Sequence, residues 1–288
     1  MHDVALAMNI GEPLIEKDYY LTLFLKGLTV QEPLLVFKGG TCLSKCFKLV
    51  KRFSEDVDIN LEGASNLTPK RRKLFKQHII NAIDAAGLEL TNLEETRSGR
   101  DHNLYKIAYP VAFESEALKQ RLEVETYFLI DSFPNVEMPV SSMIYDHLKE
   151  GNLEDVIAEF DLQPFNIRVQ SLQRTFVDKI FALCDYYLGG RTEKMSRHLY
   201  DIHKILPHMS LDDDMRNFIE EIRRAREGKR DCLSAGKNFS LPDAIERIIA
   251  EKVYKNDYDL VTSVLLYESA PYGEVIGSLK KIADWLKH

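Results

Sequence analysis

Cysteine is scarce in this chain. The 288 residues hold four, Cys42, Cys46, Cys184 and Cys232, with no CxxC pair and no Cys/His zinc spacing. That pattern excludes a disulfide framework and a thiolate zinc site, and it predicts reduced thiols in a cytoplasmic protein. Cys42 and Cys46 are four apart, so on a helix they share a face as small core residues. Long apolar runs are also missing: none approaches the about 18 residues that a membrane span needs. The N-terminus has no basic stretch leading into an apolar run, so no signal peptide is expected. Positive charge is in deficit, with 38 Lys and Arg against 45 Asp and Glu and a net charge of −7. A generally basic nucleic-acid coat is thereby excluded, but a local patch is not. Lys70-Arg71-Arg72-Lys73 forms one basic cluster, and Arg223, Arg224, Arg226, Lys229 and Arg230 form another. A solvated helix face is the plainer reading of each. The second is dense enough to serve as a phosphate-backbone contact. Internal repeats and low-complexity tracts are absent.

What is present suffices for a large core: 45% of the residues are hydrophobic. Leu14, Ile15, Tyr19, Leu21, Leu25 and Leu28 approximate helical spacing over residues 12–28. A strand is expected at 34–37, a helix at 42–50 and a strand at 57–61. Thr68-Pro69 opens a helix that runs to about residue 86 and stops at Gly87. Strands follow at 88–93, 104–111 and 121–129. Phe133-Pro134 to Pro139 reads as a loop, Ser141 and Ser142 as caps of a helix to about Lys149, and 166–169 as a short strand. Beyond Ser171 the pattern is nearly all helical, with candidates at 171–189, 195–207, 212–227, 241–268 and 273–287. The expected class is α+β, a mixed sheet flanked by helices and followed by a C-terminal helical bundle. The expected division is residues 1–165 and residues 166–288.

The densest chemistry lies in Phe37-Lys38-Gly39-Gly40-Thr41 and Arg52-Phe53-Ser54-Glu55-Asp56-Val57-Asp58. A strand sends residues i and i+2 to one face, so Asp56 and Asp58 point side by side while Val57, Ile59 and Leu61 turn to a core. Two carboxylates 4 Å apart repel by about 4 kcal/mol at an effective dielectric near 20. A divalent metal held by carboxylate oxygens offsets that repulsion. Turn or capping aspartates are the plainer reading of Asp-x-Asp, and they fit the alternation less well. Gly39-Gly40 lets backbone amides approach a triphosphate, although alone it marks only a tight turn. Ser54 is placed to bond phosphate or cap a turn, and Lys38 and Arg52 are exposed cation candidates nearby. Glu123 and Glu125 share a face of the 121–129 strand; one would join the aspartates if the strands are neighbours, and both would face solvent on an edge strand. Lys179 sits beside the apolar face made by Phe176, Ile180 and Leu183, where a solvated lysine is the plainer reading. Arg197 and Asp201 are spaced for a surface ion pair. His198 and His203 lack a zinc pattern and read as ordinary polar residues.

Taken with Glu16-Lys17-Asp18-Tyr19-Tyr20, Arg174-Thr175-Phe176-Val177-Asp178-Lys179 and Arg197-His198-Leu199-Tyr200-Asp201, these segments resemble the AbiEii/AbiGii toxin family of nucleotidyltransferases, within the DNA polymerase beta-like nucleotidyltransferase superfamily. The resemblance covers most of the chain. It implies that Asp56 and Asp58 hold Mg²⁺, that Gly39 and Gly40 shape a phosphate loop with Lys38, Thr41, Arg52 and Ser54 around the nucleotide, that Lys179 contacts the NTP triphosphate, and that Asp201 belongs to the active site. Ser54 matches a hydroxyl position that in some relatives is itself modified. Strand parity makes Glu125 the third acid, the geometric candidate for accepting the proton of the attacking hydroxyl, with Asp201 its rival.

The implied activity is attack on the α-phosphate of an NTP with loss of pyrophosphate. The implied setting is a toxin–antitoxin or phage-defence (abortive infection) system, with a cognate antitoxin as partner and an RNA acceptor, the tRNA 3′ end, whose modification blocks translation. A protein or small-molecule acceptor is the alternative, which the acidic net charge favours. A catalytically idle binding partner is a third reading, and the set Asp56, Asp58, Lys179 and Asp201 speaks against it.

Overall fold

In the computed structural model, which describes residues 1–54, 56–116 and 118–288, the chain forms two compact units. Met1–Lys48 with Ser54–Gln170 makes the first, and Leu49–Phe53 with Ser171–His288 makes the second.

The first unit is built on seven strands: β1 (Leu35–Lys38), β2 (Asp56–Leu61), β3 (Glu89–Leu90), β4 (His102–Ala108), β5 (Arg121–Tyr127), β6 (Asn135–Val140) and β7 (Phe165–Gln170). Their order across the sheet is β3-β4-β5-β2-β1-β7-β6. β2 runs antiparallel to β1 and parallel to β5, so the sheet is mixed. Its helices are α1 (His2–Met8), α2 (Glu12–Gln31), α3 (Gly39–Lys45), α4 (Pro69–Ala85), α5 (Met143–Glu150) and α6 (Glu154–Glu159). The expected α+β class is what the chain adopts.

Local signals explain most of these elements. Thr68 accepts the Arg71 amide, and Pro69 occupies the first helical position of α4, where its missing N–H costs nothing. Ser142 caps α5 in the same way through the Tyr145 amide. Alternation along β2 and β5 sends Val57, Ile59, Leu61, Leu122 and Val124 into one core with Leu21, Phe24, Leu25 and Leu28 of α2 and Phe75, Ile79 and Ile83 of α4. Each such side chain, fully buried, contributes about 1.5–3 kcal/mol.

Three expectations in this unit need correction. Residues 133–139 were expected as a loop, but 135–140 form β6. This strand sits at the edge of the sheet, where Pro139 is tolerated because its missing N–H faces no second neighbour. The helix expected over 42–50 instead starts at Gly39 and ends at Lys45. The strand expected over 88–93 shrinks to Glu89–Leu90.

The second unit is helical: α7 (Leu172–Leu188), α8 (Arg197–Ile205), α9 (Asp213–Arg226), α10 (Leu241–Ala250), α11 (Lys255–Asp257) and α12 (Tyr272–Lys287). Ser171, Asp212 and Ser240 cap α7, α9 and α10 through their side chains. α8 packs against α7 and α12, and α10 against α12. The single helix expected over 241–268 is broken. Lys252 takes a left-handed conformation with φ 51°, and a π-helical turn follows at Tyr258–Thr262. Residues 49–53 join this unit as an extended strap. Arg52 forms an antiparallel bridge with Leu266, the Phe53 amide donates to the Leu265 carbonyl, and the Tyr267 amide donates to the Lys51 carbonyl.

No helix of the described residues is long and apolar enough to cross a membrane. The four cysteines are buried and form no disulfide.

Candidate active site

β2 and β5 are in register, with Asp56 opposite Glu123 and Asp58 opposite Glu125. Paired residues of neighbouring strands point to the same side. The two aspartates and two glutamates therefore line the sheet face opposite the Val57, Ile59 and Val124 core. β5 lies between β4 and β2, so the edge-strand alternative for its acids does not hold. The two glutamates differ. Glu123 is 5% exposed and is already claimed by Lys119 (2.9 Å) and by Arg121 (2.9 and 2.5 Å). Burial would raise its carboxyl, and the hydrogen bonds from Lys119 and Arg121 override this and lower it. Glu125 is half-buried, and His102 Nε2 lies 3.4 Å from its Oε2.

The glycine pair stands directly beside the aspartates. Lys38 pairs in register with Asp58, and the chain turns at Gly39 with φ 78°. A Cβ on Gly39 would fall 1.9 Å from Asp58 Oδ2. Glycine is required here on two counts, since an L-residue is strained at that φ and a side chain would displace the carboxylate. Gly40 and Thr41 are buried in the first turn of α3, and the Thr41 hydroxyl donates to the Asp56 carbonyl at 2.6 Å. Lys38 Nζ lies 6.0 Å from the centre of the Tyr127 ring. Ser54 is half-buried two residues before Asp56.

The Glu16-Lys17-Asp18 motif supports this arrangement from behind. Lys45, the last residue of α3, is 5% exposed and bonds Asp18 at 2.6 Å and the Thr22 hydroxyl at 2.8 Å. The other Asp18 oxygen accepts the Met143 amide at the start of α5 (2.7 Å). Glu16 accepts the Ala112 amide, and Lys17 donates to the Lys119 carbonyl.

Lys179, Asp201 and Arg52 come together in the second unit. Asp201 is fully buried; one oxygen accepts Arg52 Nε at 2.7 Å, and the other accepts Arg52 Nη2 at 2.8 Å and Lys179 Nζ at 2.6 Å. Burial would raise the Asp201 carboxyl. The charges of Arg52 and Lys179 outweigh it and hold the group well below the usual carboxylate range. Burial, with the charges of Arg52 and Arg197, lowers Lys179 against the pull of Asp201. His198 lies in the same environment. Neither of its ring nitrogens meets a hydrogen-bond partner among the described residues, and its ring stacks on Tyr186. Burial, then Lys179 and Arg197, push it far below the ordinary histidine value.

Several expectations fall here. Arg52 is not an exposed cation; it is 4% exposed and committed to Asp201. Lys179 is not a solvated lysine, and Asp201 is not on the helix surface. The basic run at 223–230 is thinned. Arg226 is buried against Asp178 and Asp185, and Arg223 is held by Glu220 and by the Ser234 and Phe239 carbonyls. Arg224 and Arg230 remain exposed. Sequence reasoning also passed over His102, because only the β4/β5 register brings it to Glu125.

Among the described residues no three His, Cys, Asp or Glu side chains converge as a ready metal-binding group. The Asp56 and Asp58 pair nonetheless fits a divalent ion of the Mg²⁺ kind. Such ions are commonly held by one or two carboxylates, with substrate phosphates and water completing the shell.

Among solved structures the chain is similar to MenT4, a nucleotidyltransferase toxin from Mycobacterium tuberculosis H37Rv. The TM-score is 0.61 at 17% identity, over 99% of this chain and 88% of that one. No curated protein matches the chain. The fold is thus that of a nucleotidyltransferase. The pattern of the family described as nucleotidyl transferase AbiEii toxin, type IV TA system, matches residues 24–273, and the chain belongs to that family. It is accordingly a nucleotidyltransferase toxin of a type IV toxin–antitoxin system. Such a system implies an antitoxin partner and a nucleotide substrate, and the family generally uses a divalent metal.

Proposed function

We propose that the chain transfers a nucleoside monophosphate from an NTP to an RNA acceptor, the tRNA 3′ end, and so blocks translation in the cytoplasm. The observation that carries this is the in-register β2/β5 pair, which sets Asp56, Asp58 and Glu125 on one face with Gly39 against Asp58. Asp56 and Asp58 would hold Mg²⁺, which when bound neutralises phosphate charge and aligns the nucleotide. Gly39 and Gly40 leave room for the phosphates, and Lys38 and Ser54 offer polar contacts to them. Glu125 accepts the proton of the attacking hydroxyl. The hydroxyl oxygen bonds to the α-phosphorus, the bond from that phosphorus to the bridging oxygen breaks, and pyrophosphate leaves. Asp201 is unsuited to the proton-accepting task, because it is fully buried, ionised and occupied by Arg52 and Lys179. Its role is to hold Lys179, to which the family resemblance gives the charge at the β- and γ-phosphates.

A protein or small-molecule acceptor is the second reading. The net charge of −7 favours it, as does the engagement of Arg223 and Arg226 within the protein.

The test is transfer of label from each α-³²P-NTP with Mg²⁺ into total tRNA or total cell protein, with wild type beside Asp58→Ala. Label in tRNA that the variant loses is the expected result. Label in protein alone would establish the second reading. Full activity in Asp58→Ala would overturn the metal assignment, and no label from wild type would overturn the catalytic reading.

A further inference from the structure

β4 begins at His102, which pairs in register with Tyr127 of β5, while Leu104 pairs with Glu125. His102 is thus the diagonal neighbour of Glu125 on the acidic face, within reach for side chains of this length. Its Nε2 lies 3.4 Å from Glu125 Oε2. The pair sits half in solvent, with His102 49% and Glu125 33% exposed. An exposed ion pair of this kind contributes little to stability, so the fold does not explain it. Its position does, since Glu125 is the register partner of Asp58.

We propose that His102 is a positioning residue for the transfer reaction: its Nε2–H holds one oxygen of Glu125 and leaves the other turned to the attacking hydroxyl. This rests on the reading of Glu125 as proton acceptor. A glutamate has three side-chain torsions and, untethered, samples many orientations. A donor on one oxygen selects the orientations that keep the other oxygen on the face shared with Asp58. The hydrogen bond to Glu125 raises the proton affinity of the imidazole above the ordinary histidine value against the opposing effect of burial, and the charges of Glu125 and Asp58 add to it, which favours the form with a proton on Nε2. Tyr127 is the residue that the register sets opposite His102. Misplacing a catalytic group by about 1 Å can cost on the order of a hundredfold in rate.

The experiment uses the full chain as wild type, His102→Ala, His102→Gln and Glu125→Gln. Rates and KM for the NTP come from the label-transfer assay, and the imidazole titration of His102 comes from NMR on histidine-labelled protein. The expected result has three parts. His102→Ala lowers kcat by up to about a hundredfold with KM unchanged. His102→Gln, which restores an N–H donor at a similar reach, recovers most of that loss. Glu125→Gln brings the His102 titration down towards the ordinary value of about 6.5. Wild-type kcat in His102→Ala, or a His102 titration unmoved in Glu125→Gln, would overturn the proposal while the role of Glu125 stands. Wild-type kcat in Glu125→Gln would instead overturn the base assignment itself.

Discussion

Gly39 is the residue whose identity matters most sharply. Gly39→Ala introduces about 1–2 kcal/mol of backbone strain at φ 78°. Its new methyl also meets Asp58 Oδ2 at 1.9 Å unless the carboxylate moves. The expected outcome is a near-complete loss of label transfer with a much smaller shift in the urea midpoint. Asp201 behaves in the opposite way. Asp201→Asn strands the buried cations of Arg52 and Lys179, so it should destabilise by about 3–5 kcal/mol. Lys179→Met leaves the two-pronged Arg52–Asp201 pair in place and should cost less stability. Urea unfolding of both variants checks the order, which reverses if Asp201 is not the centre of the cluster. At this scale the shared face of Asp56 and Asp58, and that of Glu123 and Glu125, could be read from the sequence because alternation is local. The burial of Arg52 and Lys179 could not be, since their shared partner Asp201 lies 149 and 22 residues away.

Elements were legible where a periodic face and a cap coincide. α4, α7 and α9 fall near their expected spans because apolar spacing and a side-chain cap agree, while α2 and α8, which have no side-chain cap, follow their apolar spacing alone. Thr68→Ala should therefore destabilise by about 1 kcal/mol through the lost α4 cap, measured by urea unfolding, with label transfer unchanged. β6 was missed because Pro139 argues against a strand in any position except an edge, and edge position is a property of the finished sheet. The break in residues 241–268 has no local signal either. No glycine or proline marks it, and Lys252 adopts the left-handed conformation. The segment is instead anchored from outside, by the Tyr254 hydroxyl on the Leu183 carbonyl and the Tyr258 hydroxyl on the Ala270 carbonyl.

For the whole molecule, acid is the vulnerable direction. Asp201 and Glu123 are held below the ordinary carboxylate range when folded, and so is Glu32, just past α2, where burial would raise the carboxyl and the hydrogen bonds of Arg71 and His78 outweigh that effect. Their stabilisation is complete above the unfolded value of about 4 and is lost as pH falls through their lower folded values. His198 and His203, both lowered, act in the same sense from about pH 6.5 downward, because each takes up its proton more readily once unfolded. His102 is raised and opposes them, contributing most below about 6.5. Two groups against one, with the fully buried Asp201 behind them, set the expected sign. The urea midpoint should fall between pH 7 and pH 4, and a midpoint that rises over that range would contradict it.

The strap at Leu49–Phe53 makes the gene harder to divide than the helical pattern after Ser171 suggests. A fragment cloned from Ser171 onward would lack the extended partner of Leu265 and Tyr267 and the guanidinium that grips Asp201. Such a fragment should be insoluble when expressed by itself. A synthetic peptide spanning residues 49–53, or a circular permutant that carries those residues at its new start, is the minimal supplement that would let the helical unit be studied alone.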